Sequence, residues 1–394
     1  MSLGHPELVS KLVARIERDG PITFADFMET ALYDPDFGYY TTPGSRIGPD
    51  GDYYTSPDVN PIFAEMIGKQ LAQVAEAIEG PGDASEDFTI VEMGAGKGLL
   101  GRHLLNAYRR GNPAFLSRVR YLIAERSAAM IAEQQCRLRS LLQDSVPITW
   151  ASDLSHLPAE SLTGVILSNE LVDAFPVHRV VMRPLGLREI YVGWAQDRFI
   201  EIEAPPFSLT LESYFKRLGI NLEDGQRAEV NLQALEWMRQ IGAILRRGLV
   251  LTIDYGHTAA DLFAPTRKTG TLLCYHQHTV SDTPYLRVGQ QDLTAHVDFT
   301  SLALTGREVG LEVTGFTNQL HFLMGLGIES AFAGLDPESP EFDGMRHLLR
   351  PEGMGTTYKI LVQHKGMPAP QLDGLKSRPY FTDALSAPSP MVVP

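Results

Sequence analysis

Cysteine is scarce: the 394 residues contain two, Cys136 and Cys274. Neither belongs to a CxxC pair, which argues against a disulfide framework or a thiolate zinc centre as the organising element and favours a reducing, cytoplasmic setting. No run approaches the roughly 18 apolar residues of a membrane-spanning helix. Residues 1–20 are amphipathic with mixed charges and lack the basic-then-apolar layout of a secretory leader. Positive charge is also short, with 34 Lys and Arg against 48 Asp and Glu, a net charge of −14. A surface that coats nucleic acid needs clustered Lys and Arg to neutralise phosphates, so that class of partner is disfavoured and basic partners stay open. What is present is an ordinary globular composition, 44% hydrophobic and 21% charged. The length suits a large domain with insertions or two joined lobes.

Hydropathy periodicity divides the chain. Residues 1–85 read as a helical cap: apolar positions at Leu8, Leu12, Val13 and Ile16, a second helix over 24–33, a Gly/Pro/Asp-rich loop over 43–61 and a long helix over about 62–78. A breaker-rich spacer, 79–86, then leads into short apolar strands alternating with helices, the pattern of a parallel sheet covered on both faces. Strands are expected at 88–93, 120–124, 147–151 and 164–167, completing the first part of an α/β core over 86–176. Three strands over 177–202 read as antiparallel and, with a polar segment to about 227, form an insertion (177–230). The alternation resumes over 231–366, with strands at 249–253, 312–317 and 358–362 giving seven in the core. A loosely packed tail is expected from 367 to 394.

The densest chemical signal is the run Ile90-Val91-Glu92-Met93-Gly94-Ala95-Gly96-Lys97-Gly98 at the end of the first core strand. Glycines allow a sharp turn and a close approach of backbone to ligand, and the following helix aims its free N–H groups at it. A phosphate-cradling P-loop fails on spacing, since Val91 stands where its first glycine belongs and Gly98 follows Lys97 in place of Ser or Thr. A dinucleotide GxGxxG fails because the third glycine comes one residue early. The ExGxGxG that remains is similar to the loop of S-adenosylmethionine methyltransferases. Glu92 at the end of a buried strand is costly without a partner, so it is a candidate ligand-site residue. Glu125 ends the second strand and can accept from both hydroxyls of a ribose; as a plain alternative it caps the next helix. Asp153 follows the third strand, where its carboxylate and the N–H of Leu154 could hold an adenine edge, or simply cap a helix. The fourth strand runs into Asn169, Glu170 and Asp173. Ligands in open α/β sheets sit outside the carboxyl ends of the strands, and two acids three residues apart on one helical turn can grip a planar guanidinium.

Taken together, seven blocks resemble the MidA family of class I methyltransferases. They are residues 24–28 (Phe-Ala-Asp-Phe-Met), 33–40, 51–57 (Gly-Asp-Tyr-Tyr-Thr-Ser-Pro), the glycine loop, 168–176, 253–256 (Ile-Asp-Tyr-Gly) and 292–299, spread over about residues 20 to 363. The resemblance implies a seven-stranded Rossmann-like fold and S-adenosylmethionine as methyl donor. For the family's mitochondrial member, an assembly factor of respiratory complex I, it implies symmetric ω-N-dimethylation of a protein arginine. It places Tyr54, Ser56, Tyr255 and Asp298 on the substrate side; independently of it, Tyr39, Tyr40, Tyr53 and Tyr54 either wall the cofactor or acceptor channel or belong to the hydrophobic core. Glu170 and Asp173 are the candidate catalytic acids for an arginine, and His296 is the available base for a small phenol or amine. The pair His276 and His278 lacks further ligands at suitable spacing, so no metal is expected. Alternatives are a small-molecule methyltransferase, a non-catalytic assembly protein that keeps the fold, and a nicotinamide-dependent dehydrogenase.

Overall fold

The computed structural model describes residues 2–42, 48, 51–52, 55–79, 87–377 and 385. The central sheet has a continuous row of seven strands, numbered in chain order: β1 (Phe88–Met93), β2 (Val119–Ala124), β3 (Ile148–Ala151), β4 (Leu162–Asn169), β5 (Leu245–His257), β6 (Glu312–Asn318) and β7 (Tyr358–Lys365), and an eighth, two-residue strand, Val297–Asp298, pairs with the end of β5. Across the sheet they lie in the order β6-β7-β5-β4-β1-β2-β3. β1 to β5 are parallel, and β7 runs antiparallel to both its neighbours. The connection reverses direction between β1 and β4, which opens a crevice at their carboxyl ends. Val165, Ile166 and Leu167 of β4 are completely buried, as a strand covered on both faces requires.

One face of the sheet carries the helices Ile62–Glu79 and Leu99–Gly111. Phe63, Ile67, Leu71 and Leu104 from these helices pack with Ile90 and Leu251 of the strands. The first of these helices, expected in the cap, is therefore part of the core. The other face carries Leu232–Ile244 and Phe299–Glu308, through Trp237, Met238 and Leu302.

The insertion folds as antiparallel strands His178–Arg183, Gly186–Ala195, Arg198–Ala204 and Arg227–Val230, with Ile22–Thr23 from the N-terminus joining its edge. The segment expected to be merely polar contains a helix, Leu209–Leu218. Ser208 caps its start and a left-handed Gly219 ends it. Its buried residues Leu211, Tyr214, Phe215 and Leu218 fall at i, i+3, i+4 and i+7. A small three-stranded sheet (Leu273–His276, Thr279–Ser281 and Asp292–Thr294) packs with the helices Pro6–Asp19 and Phe24–Tyr33, so the cap is built from three separate stretches of chain. The tail expected to be loose beyond Gly366 docks instead at its described start. Leu372 and Leu375 are buried, and the Asp373 and Gly374 N–H groups donate to Gln73 and Gln70 of the long core helix.

Candidate active site

The carboxyl ends of β1 to β4 open into a cleft of about 460 Å³. Glu92, Gly94, Ala95, Gly96, Glu125, Asp153, Asn169 and Glu170 all line it, so residues from four strand ends meet in one place. Gly94 and Gly96 adopt φ of 67° and 50°, and a Cβ on Gly94 would lie 2.7 Å from Leu171 Cδ1. Gly98, left-handed at φ 77°, caps the helix Leu99–Gly111 and is not on the cleft surface. Leu154 packs in the apolar cluster beneath, so any contact it makes is through its backbone.

Glu92 is almost fully buried, and the Tyr121 hydroxyl donates to its Oε2 at 2.7 Å. Burial pushes its carboxyl up to about 7, against the Tyr121 bond, with the nearby Glu125 adding to the rise. Glu125 accepts from the Ser127 N–H at 2.9 Å and from the Gln134 amide at 3.3 Å. The cap of the following helix is Ser127, whose hydroxyl accepts from the Met130 N–H, so Glu125 does not cap it and instead lines the cleft. Asp153 likewise accepts from the Ser155 N–H at 2.8 Å. Asn169 Oδ1 is buried without a partner.

The opposite wall was not read from the sequence. Gln233, Glu236, Trp237 and Gln240 line it from one face of Leu232–Ile244, at i, i+3, i+4 and i+7. The Trp237 indole donates to Met93 Sδ at 3.2 Å and stands edge-on to Phe175. From the cap, Tyr33 and Tyr40 stack with ring centroids 5.5 Å apart, and the Arg126 guanidinium lies 4.7 Å over the Tyr33 ring. Tyr39 is buried behind them, bonded to Asp52 Oδ2 at 2.6 Å.

Glu170 is the most constrained group of the cleft. Its φ is 53°, rare for a residue with a side chain. Oε1 accepts from the Ser56 N–H (3.2 Å) and the Asn169 amide (3.0 Å), and Oε2 accepts from the Tyr255 hydroxyl (2.7 Å), which in turn accepts from Tyr358 (3.0 Å). Burial pushes its carboxyl up to about 7, opposed by those hydrogen bonds. Ser56 and Tyr255, expected on the substrate side, are not cleft residues; they hold Glu170 from behind. Tyr53 and Tyr54 lie outside the described residues.

Three further expectations are corrected. The segment 170–175 is an irregular turn in place of a helical one, because the N–H groups of Leu171, Val172 and Asp173 all donate to Asp254 Oδ2 at 3.2, 2.9 and 3.3 Å. Asp173 therefore sits behind the cleft, its Oδ1 without a partner and its carboxyl well above the usual range from burial and the neighbouring Asp254 and Asp292. His296 is outside the cleft, with its ring 5.2 Å from that of His257. Asp298 is a structural cap: it accepts from the Ser301 N–H and hydroxyl and from the Tyr214 hydroxyl. Asp254 and Asp292 were missed as site residues. Asp254 lies within β5, three residues before its end, and Asp292 begins a strand of the small cap sheet; neither lines the cleft, and burial pushes both up to about 7. Among the described residues no group of three or more His, Cys, Asp or Glu is placed to hold a metal ion, and no helix is long and apolar enough to cross a membrane.

The unpartnered Asn169 amide oxygen, the glycine turn that only a missing Cβ allows, and the cleft-lining Glu125 fit S-adenosylmethionine. The strand order and this cleft define a class I methyltransferase, an enzyme that uses that donor. The chain belongs to the S-adenosyl-L-methionine-dependent methyltransferase family whose profile matches residues 66–317. It is similar to the mitochondrial protein arginine methyltransferase NDUFAF7 of Mus musculus, at 27% identity over 90% of this chain and 84% of the relative. It is also similar to the mitochondrial NDUFAF7 homolog of Drosophila melanogaster, at 27% over 94% and 87%. A Burkholderia thailandensis protein crystallised with S-adenosyl-homocysteine superposes with a TM-score of 0.84 at 28% identity, covering 93% of this chain and 94% of that one. These findings bear out the MidA resemblance, the fold and the cofactor. They overturn the cytoplasmic location, because these relatives are mitochondrial proteins. Scarce cysteine reports reducing surroundings, which do not single out the cytosol.

Proposed function

We propose that the chain is a protein arginine methyltransferase whose cleft acid Glu170 holds the acceptor guanidinium. The observation that carries this reading is the row of buried acids at the cleft edge. Glu170 faces the cleft, with Asp173, Asp254 and Asp292 behind it, and these acids are surrounded by burial, hydroxyls, backbone N–H groups and one another. Among the described residues none of the four enters an ion pair. A cationic, planar ligand with several N–H donors answers both the charge and the spare acceptor capacity. The relatives named as arginine methyltransferases support the same acceptor.

Gly94 to Gly96, Glu92, Glu125 and Asn169 would hold S-adenosylmethionine, with Asp153 at the adenine end. Bound there, the donor supplies an electrophilic methyl group on a sulfonium. The protein's task is to fix the acceptor nitrogen on the methyl axis and keep water out. Ionised Glu170 draws the guanidinium charge toward itself and away from the attacking nitrogen. That nitrogen must shed a proton as it is methylated, and the raised proton affinity of Glu170 suits it to take that proton. Tyr255 and Ser56 position Glu170. Symmetric dimethylation, and a role in assembling a complex I type reductase, are the product and context we assign by resemblance. Incubation with methyl-labelled donor and a lysate, followed by hydrolysis of the labelled polypeptides, tests the reading. ω-N-Methylated arginine is expected, and label confined to small molecules would refute it.

A further inference from the structure

Beyond the carboxyl end of β5, four basic side chains converge away from the methyl-transfer cleft. His257 ends β5, Lys359 lies on β7 opposite Asp254, and His296 precedes the two-residue strand Val297–Asp298 that pairs with Gly256 and His257. His257, His296, Lys359, Thr258 and Thr357 line a cavity of about 330 Å³. His296 also lines an adjoining cavity of about 670 Å³, together with Arg267 and Thr271. Arg267 Nη2 is 3.4 Å from His257 Nε2, while Arg267 Nε and His296 Nδ1 are buried with no partner. Lys359 Nζ donates to the carbonyls of Thr356 and Thr357.

Acids border the cluster as well: Asp261 lines the smaller cavity, Glu201 and Asp282 line the larger one, and Glu229 lies beside Thr271. Asp261 Oδ2 accepts from the hydroxyl of Thr258, the cap of its short helix, at 2.9 Å. Glu229 Oε2 accepts from the Thr271 N–H at 2.6 Å while its Oε1 is buried without a partner, and burial keeps its carboxyl above the usual range. The two other arginines of the larger cavity, Arg179 and Arg227, share Glu201. Burial, with repulsion from the neighbouring cations, pushes His257 and His296 down to about 4, and burial, opposed by Asp261, pushes Lys359 down to about 8. A dianion would relieve that repulsion and occupy the unpartnered Arg267 and His296 nitrogens.

We infer that this junction is a second ligand site, taking a phosphate group at Arg267, His257, His296 and Lys359. A tetrahedral dianion offers acceptors toward all four side chains, which a planar carboxylate cannot do from one position. The larger cavity gives room for the carbon skeleton of a phosphomonoester; free phosphate needs only the smaller one.

Calorimetry of the full chain with inorganic phosphate, glycerol 3-phosphate and acetate at constant ionic strength tests this. Phosphate should bind at one site, acetate should not, and Arg267→Gln and His296→Gln should each weaken phosphate binding roughly tenfold or more while S-adenosylmethionine affinity stays unchanged. Tighter binding of glycerol 3-phosphate assigns the site to a monoester, and equal binding assigns it to free phosphate. In wild-type protein, imidazole NMR signals of His257 and His296 should move on phosphate addition, a readout independent of whether the variants fold. Absence of binding, unmoved imidazole signals, or undiminished affinity in Arg267→Gln would overturn the assignment.

Discussion

Glu170 combines a left-handed backbone, a half-buried carboxyl at the cleft and an acceptor role toward three neighbours, a combination that stability alone would not select. Its proton affinity couples activity to stability. The folded value, pushed up to about 7, exceeds the ordinary carboxylate value of 4.5, so between those pH values the native state binds more protons than the unfolded chain. This group's contribution therefore makes the protein less stable as pH rises through that window. Glu170→Gln removes the penalty, and its thermal midpoint is expected to exceed that of wild type at pH 8 and to lose that advantage near pH 4.5, as scanning calorimetry would show. In the proposed role Glu170 acts ionised, so the wild-type rate with a saturating donor should climb with pH through about 7; a profile flat over that range would exclude Glu170 as the group that holds the acceptor.

At the scale of elements, the strand-end acids Glu92 and Glu125 were legible because a carboxylate closing an apolar strand is anomalous on its own. Helix Leu209–Leu218 is also encoded locally, in its i, i+3, i+4, i+7 face and its Ser208 and Gly219 ends, although the charged residues Glu212, Lys216 and Arg217 between the apolar positions give the segment a polar look. The turn at 170–175 was not legible. Its shape comes from Asp254, more than 80 residues away, gathering three N–H groups, and no local pattern encodes that partner. The helical reading of Glu170 and Asp173 failed for this reason, and so did the expectation that Tyr255 and Ser56 touch substrate. The glycine turn joins these elements physically: a methyl group at position 94 meets Leu171, the residue after Glu170. Gly94→Ala should weaken donor binding by about 1 kcal/mol or more, read by calorimetry, because alanine disfavours positive φ and must also displace Leu171.

For the whole molecule, the cap that walls the cleft is assembled from the N-terminus, the antiparallel insertion and the 271–298 region, which the chain order separates widely. Sequence periodicity finds each piece but not their common packing, and it assigned the helix Ile62–Glu79 to the cap when its apolar face belongs to the sheet. The net charge of −14 favours encounter with a basic, arginine-presenting protein. The Michaelis constant for such a substrate should therefore rise when salt goes from about 0.05 to 0.5 M, as screening shortens the range of attraction, while donor affinity changes little.

Comparing wild type with Glu170→Gln in methyl transfer to protein arginine, alongside calorimetric titration of the donor, tests the central claim most directly. Wild type should produce ω-N-methylarginine, and the variant should bind S-adenosylmethionine with unchanged affinity and transfer methyl groups at least about 100-fold more slowly. Undiminished transfer by a variant that binds the donor normally would contradict the account.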